Sequence, residues 1–232
     1  MSGVLYSLLQ NTILVGLLGG QLPVSSHTPM SLTQIENLGA KLKTHVAYVT
    51  AKEKQASDSP ISDQLRDGFG VVLSENTVAI MSLILQDTVD IELHGPSGQK
   101  LKGRIIAEDS ETRITLVRSR KSLSSIGLRA VQWLPQAQFR VDLAVFALSS
   151  TIGKPELREF FITHTGGEAG FEGTPRLNRP LQKGMPVFNS NAQCLGFARA
   201  GLWDVDKNLL VPAKALKDAL RAKSTTIEAR TP

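Results

Sequence analysis

Cysteine is nearly absent from the 232-residue sequence, and this limits the chemistry that we expect of it. The one thiol, Cys194, has no partner for an internal disulfide, so the redox compartment stays undetermined. No CxxC motif and no Cys/His cluster offers the spacing of zinc ligands. The glycine-rich residues 166–173 lack the Gly-Lys-Ser/Thr sequence of a phosphate-binding loop. We therefore expect neither a metal nor another cofactor.

Aromatic residues are also scarce, at 5% of the chain, and no basic run is interleaved with Phe or Tyr to stack nucleic-acid bases. The 26 Lys and Arg residues exceed the 21 Asp and Glu residues, which gives a net charge of +5. This mild excess is explained by solubility alone. The composition, 41% hydrophobic and 20% charged, is that of a globular protein. We therefore expect a folded core and no nucleic-acid partner.

Charged side chains are missing from residues 1–35. Residues 4–18 form a hydrophobic run that Gln10 and Asn11 interrupt. The run suits a signal-peptide core or a short membrane anchor, although it lacks the basic residues that precede a secretory signal. An amphipathic helix docked on the domain or on another subunit explains the same pattern. Both interpretations stay open, and residues 1–30 are assigned as a hydrophobic segment and linker.

The rest of the chain is rich in short strand-like runs. Apolar residues spaced three and four apart, among them Ile35 and Leu38, predict a helix that begins at Ser31. The predicted strands are His45–Thr50, Gly70–Leu73, Val78–Leu85, Val89–Leu93, Leu101–Ala107, Ile114–Val117, Val131–Leu134, Leu143–Leu148, Phe160–Thr163, Met185–Phe188, Cys194–Ala198 and Leu209–Val211. Residues 51–67 are predicted as a polar loop and residues 213–222 as a closing helix. Strands without βαβ alternation indicate an all-β barrel or sandwich.

Seven segments, in chain order, carry a resemblance to a known family. They are Gly68–Leu73, Lys100–Asp109, Arg113–Val117, Phe139–Phe146, Pro180–Asn189, Gln193–Phe197 and Leu210–Pro212. The first falls where that family reads G-S/T-G-V-I-I, the third where it reads D-I-A-L-I, and the fifth where it reads P-G-N-S-G-G-P-L-V-N. Together they resemble the trypsin-like protease domain of the HtrA/Deg family over about residues 38–224.

The resemblance implies an all-β fold, a trypsin-like double six-stranded β-barrel with a C-terminal helix. It divides the chain into an N-terminal barrel over residues 31–125, a C-terminal barrel with its closing helix over residues 126–224, and a tail over residues 225–232. The sequence stops where the PDZ domain of the family would begin. HtrA-like proteins are often trimers, so a homo-oligomer is also expected from the resemblance.

The resemblance also locates the three positions of a catalytic triad. The family segment T-N-x-H-V-V falls on residues 80–85 and places Leu83 where the general base should be. Arg113 falls at the acid position and Lys183 at the nucleophile position. Such a protease needs an imidazole, a carboxylate that orients it, and an activated hydroxyl. Neither a leucine nor a guanidinium supplies these functions, so the sequence predicts a pseudoprotease with no catalytic residues.

The sequence also contains other candidate bases and nucleophiles. A shifted alignment would make the protein an active serine-type endopeptidase, with His45 or His94 as base and Ser82 or Ser190 as nucleophile. Cys194 is expected to be a buried, unreactive thiol. The histidines are expected at the surface or at strand edges.

A barrel pair without a triad still has a cleft and strand edges that accept extended peptides. We therefore expect a scaffold, regulatory or peptide-binding subunit whose partners are proteins or extended peptides. The third alternative is a membrane anchor protein in which residues 4–18 are the main functional element. The same uncharged segment favours a membrane-associated, cell-envelope or organellar location, and the compartment is otherwise unknown.

Overall fold

A computed structural model describes most of the globular part of the chain. The described residues are 30–53, 65–85, 88–109, 113–151, 154–165, 175–179, 181, 185–198 and 210–212. The hydrophobic run over residues 4–18 and the closing helix predicted over residues 213–222 lie outside them. Within the described ranges, no helix has both the length and the apolar character needed to cross a membrane.

The chain enters the fold through a capped helix, α1, at Leu32–Leu42. The Ser31 hydroxyl accepts a hydrogen bond from the backbone N–H of Gln34, and the Gln34 side chain accepts one from the backbone N–H of Ser31. This reciprocal capping box satisfies two backbone donors that the first turn leaves unpaired. Leu38 and Leu42 are buried, which confirms the predicted helix and its apolar face.

The first six strands form a closed barrel in the order β1-β2-β3-β6-β5-β4, and all neighbouring strands are antiparallel. The strands are β1 (Val46–Glu53), β2 (Leu65–Ser74), β3 (Thr77–Met81), β4 (Thr88–His94), β5 (Lys100–Asp109) and β6 (Ile114–Ser119). A short helix, α2 (Ser82–Leu85), directly follows β3. Alternate strand residues point inward and fill the barrel with aliphatic side chains, as in other small barrels.

Six further strands form a second sheet in the order β12-β11-β10-β7-β8-β9. They are β7 (Ala144–Thr151), β8 (Lys154–His164), β9 (Arg176–Leu177), β10 (Pro186–Phe188), β11 (Cys194–Ala198) and β12 (Leu210–Pro212). The backbone N–H of Leu210 donates to the carbonyl of Pro175 at 3.0 Å, which links β12 to the residue that precedes β9. The two six-stranded units confirm the predicted all-β double-barrel architecture.

An apolar layer packs the two units together. Val71, Met81 and Ile114 of the first barrel share one buried cluster with Phe146 and Phe188 of the second unit. Leu38 and Leu42 of α1 and Cys194 and Phe197 of β11 belong to the same cluster. Large aromatic side chains contribute most of the burial in such a layer. Each unit also encloses an apolar core of its own.

Two predicted strands were wrong. The run Val78–Leu85 is a strand only to Met81 and continues as α2, because a short apolar run has no periodicity that separates strand from helix. The run Val131–Leu134 forms no strand, and Trp133 makes a single bridge to Cys194.

The segment that contains Val131 instead connects the two units. The N–H of Val131 donates to the carbonyl of Val72 in the first barrel at 2.9 Å. The N–H of Leu134 donates to Cys194 of the second unit at 2.9 Å. Because the backbone hydrogen-bond partners of this segment change every few residues, it forms no continuous strand pairing. Its apolar residues alone therefore predicted a strand wrongly.

The predicted polar loop over residues 51–67 was too long, because β1 extends to Glu53 and β2 begins at Leu65. Pairing between these two strands includes Lys52 opposite Leu65. Antiparallel strands form backbone hydrogen bonds whatever their side chains are, so they can extend into polar residues. The hydrophobic pattern of the sequence does not reveal such extensions. The predicted division after residue 125 falls within a 3-10 helix at Leu123–Ile126 and stays a prediction.

Two glycines are expected to respond oppositely to substitution. A Cβ on Gly95 would lie 1.9 Å from the Ile126 carbonyl oxygen, whereas a Cβ on Gly39 would meet nothing within 4 Å. We expect Gly95→Ala to destabilise the protein by about 1–3 kcal/mol, since backbone must move. Gly39→Ala, within α1, should stabilise it by about 0.5–1 kcal/mol. Urea unfolding of the two variants checks this, and a neutral Gly95→Ala would contradict the close packing.

Candidate functional site

The register of β3 and β6 brings two of the three triad positions to the same end of the first barrel. Met81, the last residue of β3, pairs with Ile114, the first residue of β6. Leu83 follows Met81 by two residues, in α2, and Arg113 immediately precedes Ile114. Because the strands are antiparallel, the chain that leaves β3 and the chain that enters β6 are neighbours.

Arg113 lies in the turn that leads into β6, and its side chain is exposed. Its φ of 59° is in the left-handed region, which costs a non-glycine residue roughly 1–2 kcal/mol. The guanidinium stays charged at every pH that a protein tolerates and has no acceptor atom. At this position it can neither orient an imidazole nor stabilise an imidazolium.

Close packing holds α2 against the first barrel. A Cβ on Gly68 of β2 would lie 2.1 Å from the Ile84 Cδ1 atom, so the missing side chain makes room for the helix. Ile84 is half-buried and contacts both the first barrel core and the layer between the units. The contact between Gly68 and Ile84 thus holds α2, which includes Leu83, close to β2.

The nucleophile position, Lys183, lies outside the described residues. The residues that flank it belong to the second unit: Leu181 and Met185 are buried in the core of that unit. β10 begins at Pro186, and Val187 pairs with Ala147 of β7. The flanking residues are therefore anchored on the second unit, whereas the positions at Leu83 and Arg113 belong to the first.

The histidines of the alternative catalytic set have hydrogen-bond partners other than the candidate nucleophile Ser190. The Nδ1 atom of His45 lies 3.1 Å from the Arg129 carbonyl oxygen. The Nε2 atom of His94 lies 2.9 Å from the Thr50 Oγ1 atom. In the part of the chain that the structure describes, neither ring hydrogen-bonds to a serine or a cysteine. Ser190 is exposed in the turn between β10 and β11.

His94 belongs to a polar cluster on the outside of the first barrel. Besides Thr50, the Glu92 carboxylate approaches its Nε2 atom at 3.7 Å and pairs with Lys100 at 2.9 Å. Hydroxyl and carboxylate therefore face the same ring nitrogen. In a triad the carboxylate holds the opposite nitrogen, so this cluster lacks the proton-relay geometry. Burial lowers the pKa of His94, and Glu92 opposes that shift.

Tyr48 extends this cluster along β1. Its hydroxyl donates to the Asp67 carboxylate at 2.7 Å, and its ring contacts Phe69 and the imidazole of His94. Burial, helped by the hydrogen bond to Asp67, raises the pKa of Tyr48 to about 12. The sequence analysis missed this cluster, because it depends on the pairing of Tyr48 with His94 and of Thr50 with Glu92. In the sequence, the cluster is indicated only by the alternation along β1, which places Tyr48 and Thr50 on the same face of the strand.

Cys194 is completely buried in the layer between the units, as predicted. Its thiol contacts the Gly196 carbonyl oxygen at 3.7 Å. Burial raises the pKa of the thiol well above its usual range, which keeps it protonated at neutral pH. A buried, protonated thiol is a poor nucleophile. Among the described residues, no group of three or more His, Cys, Asp and Glu is placed to hold a metal ion.

Comparison with solved structures identifies the fold. The chain is similar to the HtrA-type protease AlgW with a tripeptide, with a TM-score of 0.64 and 13% sequence identity over 81% of this chain. At this identity the likeness shows the fold alone, the trypsin-like double β-barrel. The chain spans 62% of the length of that protease. No family model and no curated protein matches the sequence.

The pKa of His94 predicts a pH dependence of stability. Because burial lowers this pKa, the unfolded chain takes up the proton near pH 6.5, before the folded chain does. Stability is therefore full above pH 6.5 and falls as the pH drops through the folded value. Urea unfolding at neutral pH and at about pH 5 should show a smaller acid loss for His94→Gln than for wild type. His45→Gln serves as the control, and an unchanged acid loss in His94→Gln would contradict the assignment.

Proposed function

We propose that the protein is a proteolytically inactive relative of the HtrA-type proteases that acts as a scaffold, regulatory or peptide-binding subunit of a larger assembly. The observation that carries the proposal is the pair of residues at the end of β3 and the start of β6. Leu83 comes two residues after the end of β3 and Arg113 one residue before the start of β6, and the resemblance assigns them the base and acid positions. A hydrocarbon and a fixed cation cannot perform the proton transfer.

The other features of the site agree with loss of proteolysis. The sequence has Lys183 at the nucleophile position and Met185 where the family has a glycine. The loss of a glycine narrows the backbone conformations that an oxyanion-binding turn can adopt. Neither His45 nor His94 hydrogen-bonds to a serine or cysteine within the described ranges, so no observation favours an alternative catalytic set.

The second unit offers an edge for an extended peptide. β8 pairs with β7 over Lys154–Phe161, whereas β9 pairs only with Ile162 and His164. In the described residues, the strand ladder on this side of β8 therefore stops short of Lys154–Phe161. An unpaired strand edge binds an extended peptide through main-chain hydrogen bonds.

Side chains already occupy one part of that edge. Asn178 donates its backbone N–H to the Phe161 carbonyl at 2.9 Å and accepts from the Phe161 N–H through its side chain at 3.0 Å. The Arg179 guanidinium donates to the Glu159 carbonyl. Since the backbone groups of a strand alternate in direction, those of Leu157 face the same edge as those of Glu159 and Phe161. The first half of β8 is therefore the part that we assign to peptide binding.

Assembly and location follow from the sequence within the same proposal. The uncharged residues 4–18 would contact a membrane or dock on another subunit. The fold shared with an HtrA-type protease favours a homo-oligomer. Protein partners or extended peptides, rather than nucleic acid, are the proposed ligands.

The purified full chain should neither cleave unfolded casein nor react with a fluorophosphonate probe. The physical reason is that Leu83 and Arg113, at the base and acid positions that the resemblance assigns, cannot take the proton from a serine hydroxyl. Gel analysis of casein and fluorescence of the labelled protein measure the two effects, with an active serine protease as the positive control. Dose-dependent labelling that disappears in Ser82→Ala or Ser190→Ala would overturn the proposal and identify the nucleophile.

Casein binding without cleavage should depend on the edge of β8. Leu157→Pro removes the N–H that faces the edge, and we expect it to weaken binding by about tenfold, as losing one or two hydrogen bonds does. Leu157→Ala is the matched control, since it removes the side chain and keeps the N–H. Biolayer interferometry measures both, with circular dichroism to verify folding. Equal affinities of the two variants would exclude this edge as the binding site.

A further inference from the structure

A groove on the first barrel is lined mainly by basic side chains. It is open to solvent and has a volume of about 570 Å³, within the range of small-ligand sites. It lies beside the start of β5 and the chain that leaves β6. Six of its nine lining residues are cationic: Lys100, Lys102, Arg104, Arg118, Arg120 and Lys121. We call it the basic groove.

Only part of this positive charge is neutralised by the protein. Lys100 pairs with Glu92 at 2.9 Å, and Lys102 pairs with Asp90 at 3.2 Å. In the part of the chain that the structure describes, the side chains of Arg104, Arg118, Arg120 and Lys121 make no ion pair. All four are exposed. These four unpaired cations give the groove a local charge that is nearly as large as the net charge of the whole chain, +5.

Two of these cations directly oppose each other. Arg104 of β5 and Arg118 of β6 are register partners, so both side chains leave the same face of the sheet. Like charges at directly opposed positions destabilise a sheet. An anion between the two guanidinium groups would remove the repulsion and accept hydrogen bonds from both. Arginine has the planar fork that binds phosphate and carboxylate in a bidentate manner.

The shape of the basic groove favours a compact ligand over a polymer. Among its lining residues there is no aromatic side chain on which a nucleic-acid base would stack. The barrel is closed and β5 lies between β4 and β6, so a peptide cannot add to it as a strand. Alternate residues of β5 are spaced about 6.7 Å apart, which suits a ligand with several anionic groups.

We propose that the basic groove binds a compact polyanion with two or more phosphate groups, either free in solution or as the headgroup of a lipid. Arg104 and Arg118 hold one group, and Arg120 and Lys121 hold the next.

The site is separate from the degenerate triad. Arg113 precedes the first residue of β6, whereas Arg118 lies near the other end, about 17 Å away along the strand. The proposal therefore does not rest on the loss of proteolysis, and a ligand here would leave the cleft between the units open. The basic groove would thus be a second binding or regulatory site, on the first barrel.

Isothermal titration of the full chain with sodium tripolyphosphate tests the proposal. We expect saturable binding at physiological salt that weakens as salt is added. Arg104→Ala/Arg118→Ala should weaken it at least about tenfold, because two charge-assisted hydrogen-bond donors are lost. The matched control, Arg129→Ala/Arg140→Ala, removes the same charge from two exposed positions outside the groove. Equal weakening in both double variants would overturn the proposal, since net charge alone would then explain the binding.

A second double variant keeps the test decisive if the Arg104→Ala/Arg118→Ala protein fails to fold. Arg120→Ala/Lys121→Ala lies outside the strands and should also weaken tripolyphosphate binding. Phosphatidylcholine vesicles with and without phosphatidylinositol bisphosphate distinguish the two sources of phosphate. Binding to the bisphosphate vesicles that is tighter than to tripolyphosphate assigns the lipid headgroup, and the reverse assigns the free anion. No binding to either, or tighter binding to a single-stranded oligonucleotide or a polyglutamate peptide, would overturn the proposal.

Discussion

The packing of two six-stranded units against one apolar layer is the constraint on which the rest of the structure depends. Met81 and Ile114 lie at the end of β3 and the start of β6, and both are buried in that layer. Leu83 follows Met81 by two residues, and Arg113 immediately precedes Ile114. A layer of this kind excludes water because apolar area is removed from solvent along its whole extent. The layer thus ties the end of β3 and the start of β6 to the second unit.

The exposed charges of the first barrel are independent of its apolar core. Apolar packing specifies the fold, and surface positions at its rim are free to change charge without cost to the core. Arg113 is an exposed residue of that kind, as are Arg104 of β5 and Arg118 near the far end of β6. The same barrel therefore presents a cation at the position where the resemblance places the acid, and an unbalanced positive groove elsewhere.

The fold was predictable to the extent that local pattern decides it. Helix α1 follows from its Ser31 cap and apolar spacing, and β11 was predicted with the bounds Cys194–Ala198 that the structure has. The prediction for Val78–Leu85 was wrong after Met81, where an apolar run without periodicity continues as a helix, and that for Val131–Leu134 was wrong because its backbone partners change from one unit to the other. A sequence records the apolar character of such runs and does not record with what they pair.

The sequence by itself determined the single thiol, the residue types at the positions that the resemblance aligns with a triad, and the all-β architecture, because composition and alternation depend only on neighbours along the chain. Tertiary structure alone decided which polar groups meet. Thr50 and Glu92 approach the same nitrogen of His94, and Arg104 opposes Arg118, through strand register. Register is a long-range property, set by how the barrel closes around its core, and shifting it by one residue would move every side chain to the other face.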